Sequence, residues 1–234
     1  MAEWSKANAW SAFIRETVSQ VRILSSPPIN THFYYMKPKK SINITKSDVL
    51  SPDFVKKLKE ILPEDMKETL SVLYEIATKD EKTGLYNNHF FDSILELEIE
   101  KAKREKGDLS FVMFDIDFFK EINDKYGHIK ADEILFELGR ILKEKTRKSD
   151  IVARFGGDEF LILLPRTDKE KTQKLVNRIK NALKKDKYMK RYEVNISGGI
   201  TSFKKGDTKK SFLRRANIGL QKSKKLGRNQ FNIE

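Results

Sequence analysis

ARFGGDEFLILL, residues 153–164, sets two glycines and two acids between apolar runs of strand length. Short apolar runs bounded by turn residues read as neighbouring buried strands, and Gly156 and Gly157 supply the positive φ angles that a two-residue turn demands. The stretch therefore predicts a hairpin with strands at about 151–155 and 160–164, tipped by Asp158 and Glu159. Acid at the tightest turn is unexpected in a chain whose Lys and Arg outnumber its Asp and Glu by 47 to 34. Taken alone, Gly beside Asp is ordinary turn chemistry. Its surroundings change that reading.

Upstream, LSFVMF (109–114) is another strand-length run, ending at Asp115. Ile134, Leu135, Leu138, Ile141 and Leu142 space a helix over about 129–145, and Leu175, Val176, Ile179 and Leu183 space one over about 168–184. YEVNISGGIT (192–201) alternates as a strand, and SFLRRANIGLQKSKKL (211–226) reads as a last helix. Strand, helix, strand, strand, helix, strand is the split βαβ, or ferredoxin-like, order of an α+β fold. A right-handed crossover makes the first two strands parallel, and the hairpin inserts the third, antiparallel, between them. Asp115 then lies beside Asp158 and Glu159.

Ahead of this block, Phe91, Leu95 and Ala102 mark a helix over 88–104. A helix beginning at Pro63 carries an apolar stripe of Met66, Leu70, Leu73 and Ala77, which suits either packing on its own domain or a dimerising stalk. Phe54, Leu58 and Leu62 precede it at helical spacing, whereas residues 1–50 show aromatic and turn signals without a period, and no chemistry is assigned to them. The expected division is an N-terminal region of unknown role over 1–50, a helical stalk or linker over 51–79, and one main domain over 80–234.

Composition narrows the function. With 234 residues, 38% of them hydrophobic, the chain can build one substantial core. A net charge of +13 attracts anions such as nucleotides, nucleic acid or acidic headgroups. No apolar run approaches the roughly 20 residues that cross a bilayer, and the N-terminus has no basic start leading into an apolar stretch, so a cytoplasmic protein is expected. Cysteine is absent and the three histidines (His32, His89, His128) are scattered, which leaves oxygen as the ligand for any metal. Carboxylates crowded at one sheet end need a cation to stay ionised, and magnesium is the best match.

The segment FDIDFFKEINDKYGHIKAD (114–132) supplies further candidates. Of Asp115 and Asp117, Asp115 is assigned to the hairpin tip. Lys120 can reach a phosphate or stand as a solvated lysine. Asn123 and Asp132 can accept the N1–H and amine donors of guanine, or serve as helix caps.

Together these residues resemble the GGDEF family of diguanylate cyclases. RFGGDEF contains the family signature, FDIDFFKEINDKYGHIKAD is similar to its metal and guanine segment, KTGLYN (82–87) to its opening motif, and SKKLGRNQ (223–230) to its closing motif, over residues 79–234. The resemblance implies a cyclase-palm fold around a five-stranded, mainly antiparallel sheet, and synthesis of cyclic di-GMP from two GTP across a homodimer. It implies magnesium (or manganese) on Asp115, the Ile116 carbonyl and Asp158, with Glu159 completing the charged tip and required for activity. It places guanine on Asn123 and Asp132 with His128 at the pocket's border, phosphate against Gly156 and Gly157, and phosphate charge on Lys120, Lys224 and Arg228. RKSD (147–150) resembles the family's product-inhibition site, where Arg147 and Asp150 would hold cyclic di-GMP; a surface ion pair is the alternative.

Lys82 stands where the opening motif usually has leucine, Asn88 and His89 replace a common arginine pair, Ala131 replaces glycine, and Asn217 replaces an acid. No proposed metal ligand or phosphate contact is lost. Two other classes compete: a non-catalytic receptor for GTP or cyclic di-GMP with a cyclase-like body, and a nucleic-acid-binding palm domain. Retained signature acids weigh against the first. The dispersal of basic residues over helices weighs against the second, so no DNA or RNA partner is expected.

Overall fold

The computed structural model describes residues 52–105 and 107–234; the region expected over 1–50 lies outside the described residues. The fold is built on the strand β2 (Leu109–Ile116), whose side chains alternate between two covered faces, so that Val112, Phe114 and Ile116 join one buried cluster and Leu109 and Phe111 another. Before it stand α1 (Pro52–Ile61), α2 (Glu64–Thr78), β1 (Tyr86–Asn87) and α3 (Asn88–Glu105). After it come α4 (Phe119–Tyr126), α5 (His128–Lys145), β3 (Ile151–Gly156), β4 (Glu159–Pro165), α6 (Lys169–Lys185), α7 (Lys187–Arg191), β5 (Ile196–Ser202), α8 (Lys209–Lys225) and β6 (Phe231–Ile233).

The sheet order is β1-β3-β4-β2-β5-β6. β4 lies antiparallel between β3 and β2, as the split topology requires. On one face α5 and α6 bury Ile134, Leu138, Val176 and Ile179; on the other α3 and α8 bury Phe91, Leu95, Phe212 and Ala216. Each such side chain contributes about 1.5–3 kcal/mol on leaving water. The sheet has six strands, against four read from the spacing and five implied by the resemblance, because β1 and β6 add short parallel edges. Two or three residues are too few to carry an alternation.

The strand expected over 192–201 begins only at Ile196. Tyr192 and Val194 are buried as the alternation predicts, but Glu193 between them sits at φ 52°, outside strand geometry. At the other side of the sheet, α8 lies directly on β5. A methyl group on Gly199 would overlap the Ala216 carbonyl, and one on Gly219 would come 2.8 Å from the Gly199 Cα, so helix and strand meet backbone to backbone. That seating fixes the height of the last turn of α8 above the end of β2.

The stripe on α2 does not pack against the sheet. Of its residues Met66, Leu73 and Ala77 are exposed and Leu70 is half-buried, and Val72 and Ile76 beside them are exposed as well. Among the described residues no helix is long and apolar enough to cross a membrane.

Candidate active site

The register between β2 and β4 sets Asp115 opposite Glu159, and that between β2 and β5 sets Ser197 opposite Asp115. Opposed residues share a sheet face, so two acids meet there against their mutual repulsion. The hairpin tip closes onto them where the Ile116 N–H donates to the Asp158 carbonyl at 3.3 Å. Asp158 itself is half-buried, not exposed as a hairpin tip usually is.

Asp115 is 3% exposed. Lys224, in the last turn of α8, forms an ion pair with its Oδ2, while Oδ1 is buried without any hydrogen-bond partner. Burial pushes the carboxyl up to about 6 against the pull of Lys224, and the charges of Asp158 and Asp117 act in the same direction as burial. A buried carboxylate with one bare oxygen and one lysine is a place that a further cation completes. The oxygens expected from the sequence as ligands, the Asp115 and Asp158 carboxylates and the Ile116 carbonyl, are hard donors of the kind that magnesium takes. Among the described residues no cluster of three or more metal-ligating side chains is assembled. An ion that fills its shell from backbone, water and substrate phosphate does not need one.

Asp117 has a different fate. β2 ends at Ile116, and the Asp117 carboxylate accepts from the Ser197 hydroxyl at 2.7 Å and the Asn229 N–H at 2.9 Å, tying the turn after β2 to the closing motif. Both its oxygens are occupied by the protein. Facing turns there hold Phe118, Arg228 and Asn229 at positive φ, with the Arg228 guanidinium 4.4 Å from the Phe118 ring centre. Left-handed non-glycine residues are strained and gather at functional sites.

At the hairpin, only Gly157 takes the left-handed conformation, at φ 54°; a bulge between Arg154 and Gly156 makes positive φ at Gly156 unnecessary. Arg154 holds the turn. Its guanidinium donates to the Gly157 carbonyl at 2.7 and 2.9 Å and to Asp80 at 3.2 and 3.3 Å. Asp80 also accepts from the Thr83 N–H and hydroxyl, so the opening motif and the signature hairpin form one network. Neither Arg154 nor Asp80 was a candidate from sequence. Asp80 three residues before Thr83 has the spacing by which an acid caps the first turn of a helix, which was the available signal.

The remaining candidates do not share one hollow. Lys120 is exposed in the first turn of α4, and Asn123, one turn on, has a buried Oδ1 with no partner. His128 opens α5 and is exposed. Asp132, on α5, is held by Lys82 Nζ through both oxygens, at 2.7 and 2.8 Å. An open hollow of about 840 Å³ includes Arg228, Phe118 and Tyr192, and a second of about 520 Å³ includes Asp132, Ile129 and Phe136. Asp115, Asp158 and Glu159 line neither.

Arg147 and Asp150 stand at the opposite end of the sheet, in the loop before β3. Asp150 accepts from the Arg147 backbone N–H at 2.8 Å, and no ion pair joins their side chains; Arg147 is exposed.

Residues 77–230 match the family described as diguanylate cyclase, GGDEF domain. The chain is 36% identical over 170 residues to diguanylate cyclase A of Treponema denticola, covering 70% of this chain and 46% of that protein. It is 34% identical over 160 residues to diguanylate cyclase DgcP of Pseudomonas aeruginosa, covering 67% of this chain and 24% of that one. It thus spans less than half the length of either relative. Among solved structures it is similar to the coiled coil and GGDEF domain of DgcB from Caulobacter crescentus in complex with c-di-GMP, with a TM-score of 0.67, 25% identity, and coverage of 79% of this chain and 99% of that chain.

Proposed function

Because the chain belongs to the GGDEF-domain family of diguanylate cyclases, we propose that it condenses two GTP into cyclic di-GMP with loss of two pyrophosphates. Each subunit of a homodimer presents one nucleotide to the other, which turns a bimolecular encounter into an oriented one. The observation that carries this reading is the bare Oδ1 of buried Asp115, opposite Glu159 and capped by Lys224.

Asp115, Asp158 and the Ile116 carbonyl would hold the magnesium ion, or manganese in its place. When bound, the ion supplies positive charge that acidifies the attacking 3′-hydroxyl and steadies the phosphate oxygens. Glu159 completes the charged tip. Gly156 and Gly157, without side chains, let the phosphate chain approach the backbone. Lys120 and Arg228 take the charge of the departing pyrophosphate. Lys224 joins them by exchanging Asp115 for phosphate. Asn123 and Asp132 accept from guanine, with His128 at the rim; the orphaned Asn123 Oδ1 supports that role.

The open, divided hollows are in keeping with a half-site that a second copy covers. The exposure of Met66 and Leu73 on α2 supports a stalk over 51–79 that pairs the 80–234 domains of two chains. Arg147 and Asp150 would bind the product and slow the enzyme, and the exposure of Arg147 leaves its guanidinium accessible to a phosphate.

The test is incubation of the chain, shown dimeric by light scattering, with GTP and magnesium chloride, followed by chromatography. A cyclic dinucleotide is expected. Nucleotide binding by a verified dimer without that product would replace the cyclase with a receptor.

A further inference from the structure

Lys82 and Asp132 are fifty positions apart in sequence and joined in the fold by two hydrogen bonds, one to each carboxylate oxygen. Both side chains are 42% exposed, and an ordinary surface ion pair of that exposure does little for stability. This one is set on a rigid base. The turn bearing Lys82 is closed by Asp80, which accepts from Thr83 at 2.9 and 2.7 Å and is itself gripped by Arg154. The same turn presses on α5 at Gly139, where an added methyl would come 2.9 Å from the Thr83 carbonyl. Turn and helix therefore hold the backbones of Lys82 and Asp132 at a fixed offset.

We propose that Lys82 and Asp132 act as one reader of the guanine Watson–Crick edge, Lys82 donating to O6 while Asp132 accepts from N1–H and the exocyclic amine; this rests on the nucleotide reading given above. The chemistry is complementary at each position. An ammonium has three N–H donors, and Asp132 engages two of them, leaving one free. A carboxylate has acceptor sites to spare beyond the two that Lys82 uses. Along the base edge O6 is next to N1; Lys82 now spans both Asp132 oxygens, so guanine enters by drawing the ammonium aside to the oxygen that accepts from N1–H, where it meets O6, while the other oxygen takes the amine. Adenine reverses both positions: its N1 lone pair would face the acid and its amine would face the ammonium. The pair thus accepts a 6-oxopurine and rejects a 6-aminopurine at two points. Lys82 is a specificity-determining residue in this scheme and takes no part in the bond changes.

The experiment is calorimetric titration of the whole chain, wild type, Lys82→Met and Lys82→Arg, with GDP and with 6-thio-GDP in magnesium buffer. GDP reports binding without turnover, and sulfur at position 6 is a weak acceptor. Wild type is expected to favour GDP over the thio analogue about tenfold, Lys82→Met to lose that preference to within about twofold while binding GDP about fivefold to tenfold more weakly, and Lys82→Arg to restore most of it. An unchanged preference in Lys82→Met, or tighter GDP binding by that variant, overturns the role of Lys82 and leaves the nucleotide site standing. Absence of GDP binding by the wild type overturns the nucleotide reading and this one with it.

Discussion

The two ends of β2 bury polar groups equally deeply and treat them differently. At its start, Ser110 is fully buried and closed: its hydroxyl donates to the Thr167 carbonyl at 2.8 Å and lies 2.9 Å from the Ser202 hydroxyl. At its finish, Asp115 is 3% exposed and keeps one oxygen without a partner. The neutral group is matched by the protein alone. The charge is left half-matched, as the proposed cation site requires, and burial raises the carboxyl to about 6.

The sharpest way to break this contrast is Asp115→Asn. Cyclic dinucleotide formation should fall by about 1,000-fold or more, with Tm no lower in the absence of divalent ion, since the change removes a buried charge. Near-normal turnover would remove Asp115 from the centre of the chemistry. Next in size is Arg154→Met, which frees the Gly157 carbonyl and Asp80 together. We expect kcat to drop about 10- to 100-fold from a misplaced tip, while the far end of the sheet is unaffected.

Arg147→Ala probes whether the far end binds ligand without chemistry. The half-inhibitory concentration of cyclic di-GMP should rise about tenfold with kcat unchanged; identical inhibition curves would count against a regulatory site there. Ser110→Ala is the counterpart of the first variant. It leaves buried partners unmatched, so it should cost about 1–2 kcal/mol and lower Tm by about 2–6 °C, with turnover kept within about twofold.

The smallest effect belongs to Lys79, an intermediate case at the end of α2, whose ammonium lies 3.4 Å from the Tyr86 ring centre. Burial first, then the charge of Lys143, lowers it from 10.5 to about 8. Between those values the unfolded chain holds a proton that the folded chain has released, so this group's contribution to stability rises with pH through that window. Below about pH 8 the buried charge is unfavourable, in part offset by the ring. Lys79→Met should therefore stabilise the fold at pH 7 by no more than about 1 kcal/mol, and the gain should fade by about pH 10, as thermal scans across pH would read.

Much of the fold is legible in the sequence. The spacing of Ile134, Leu138 and Leu142 or of Leu175 and Ile179 is a local property, and so is the hairpin around Gly157. What escaped was short or non-local. α4 has eight residues and a single buried side chain, Ile122, too little for a period. Glu193 shows how alternating burial can persist after the strand has ended. At the site, the acids at 115, 158 and 159 were legible because topology alone brings them together. The partners that tune them were not. Arg154 resembles any arginine in a strand until Asp80 lies beside it, and Lys82 looked like a local departure until the fold set it against Asp132.

The seating of α8 on β5 has a consequence for how this protein can change over generations. Side chains elsewhere in the interior can be exchanged for others of similar bulk, and the structure yields a little to fit them. Glycine resting on glycine has no such slack, so the reach of Lys224 to Asp115 is gauged by the thickness of two bare backbones. One methyl added at either position would act as a shim under the helix, lifting the lysine from the acid while leaving every residue of the active centre unaltered.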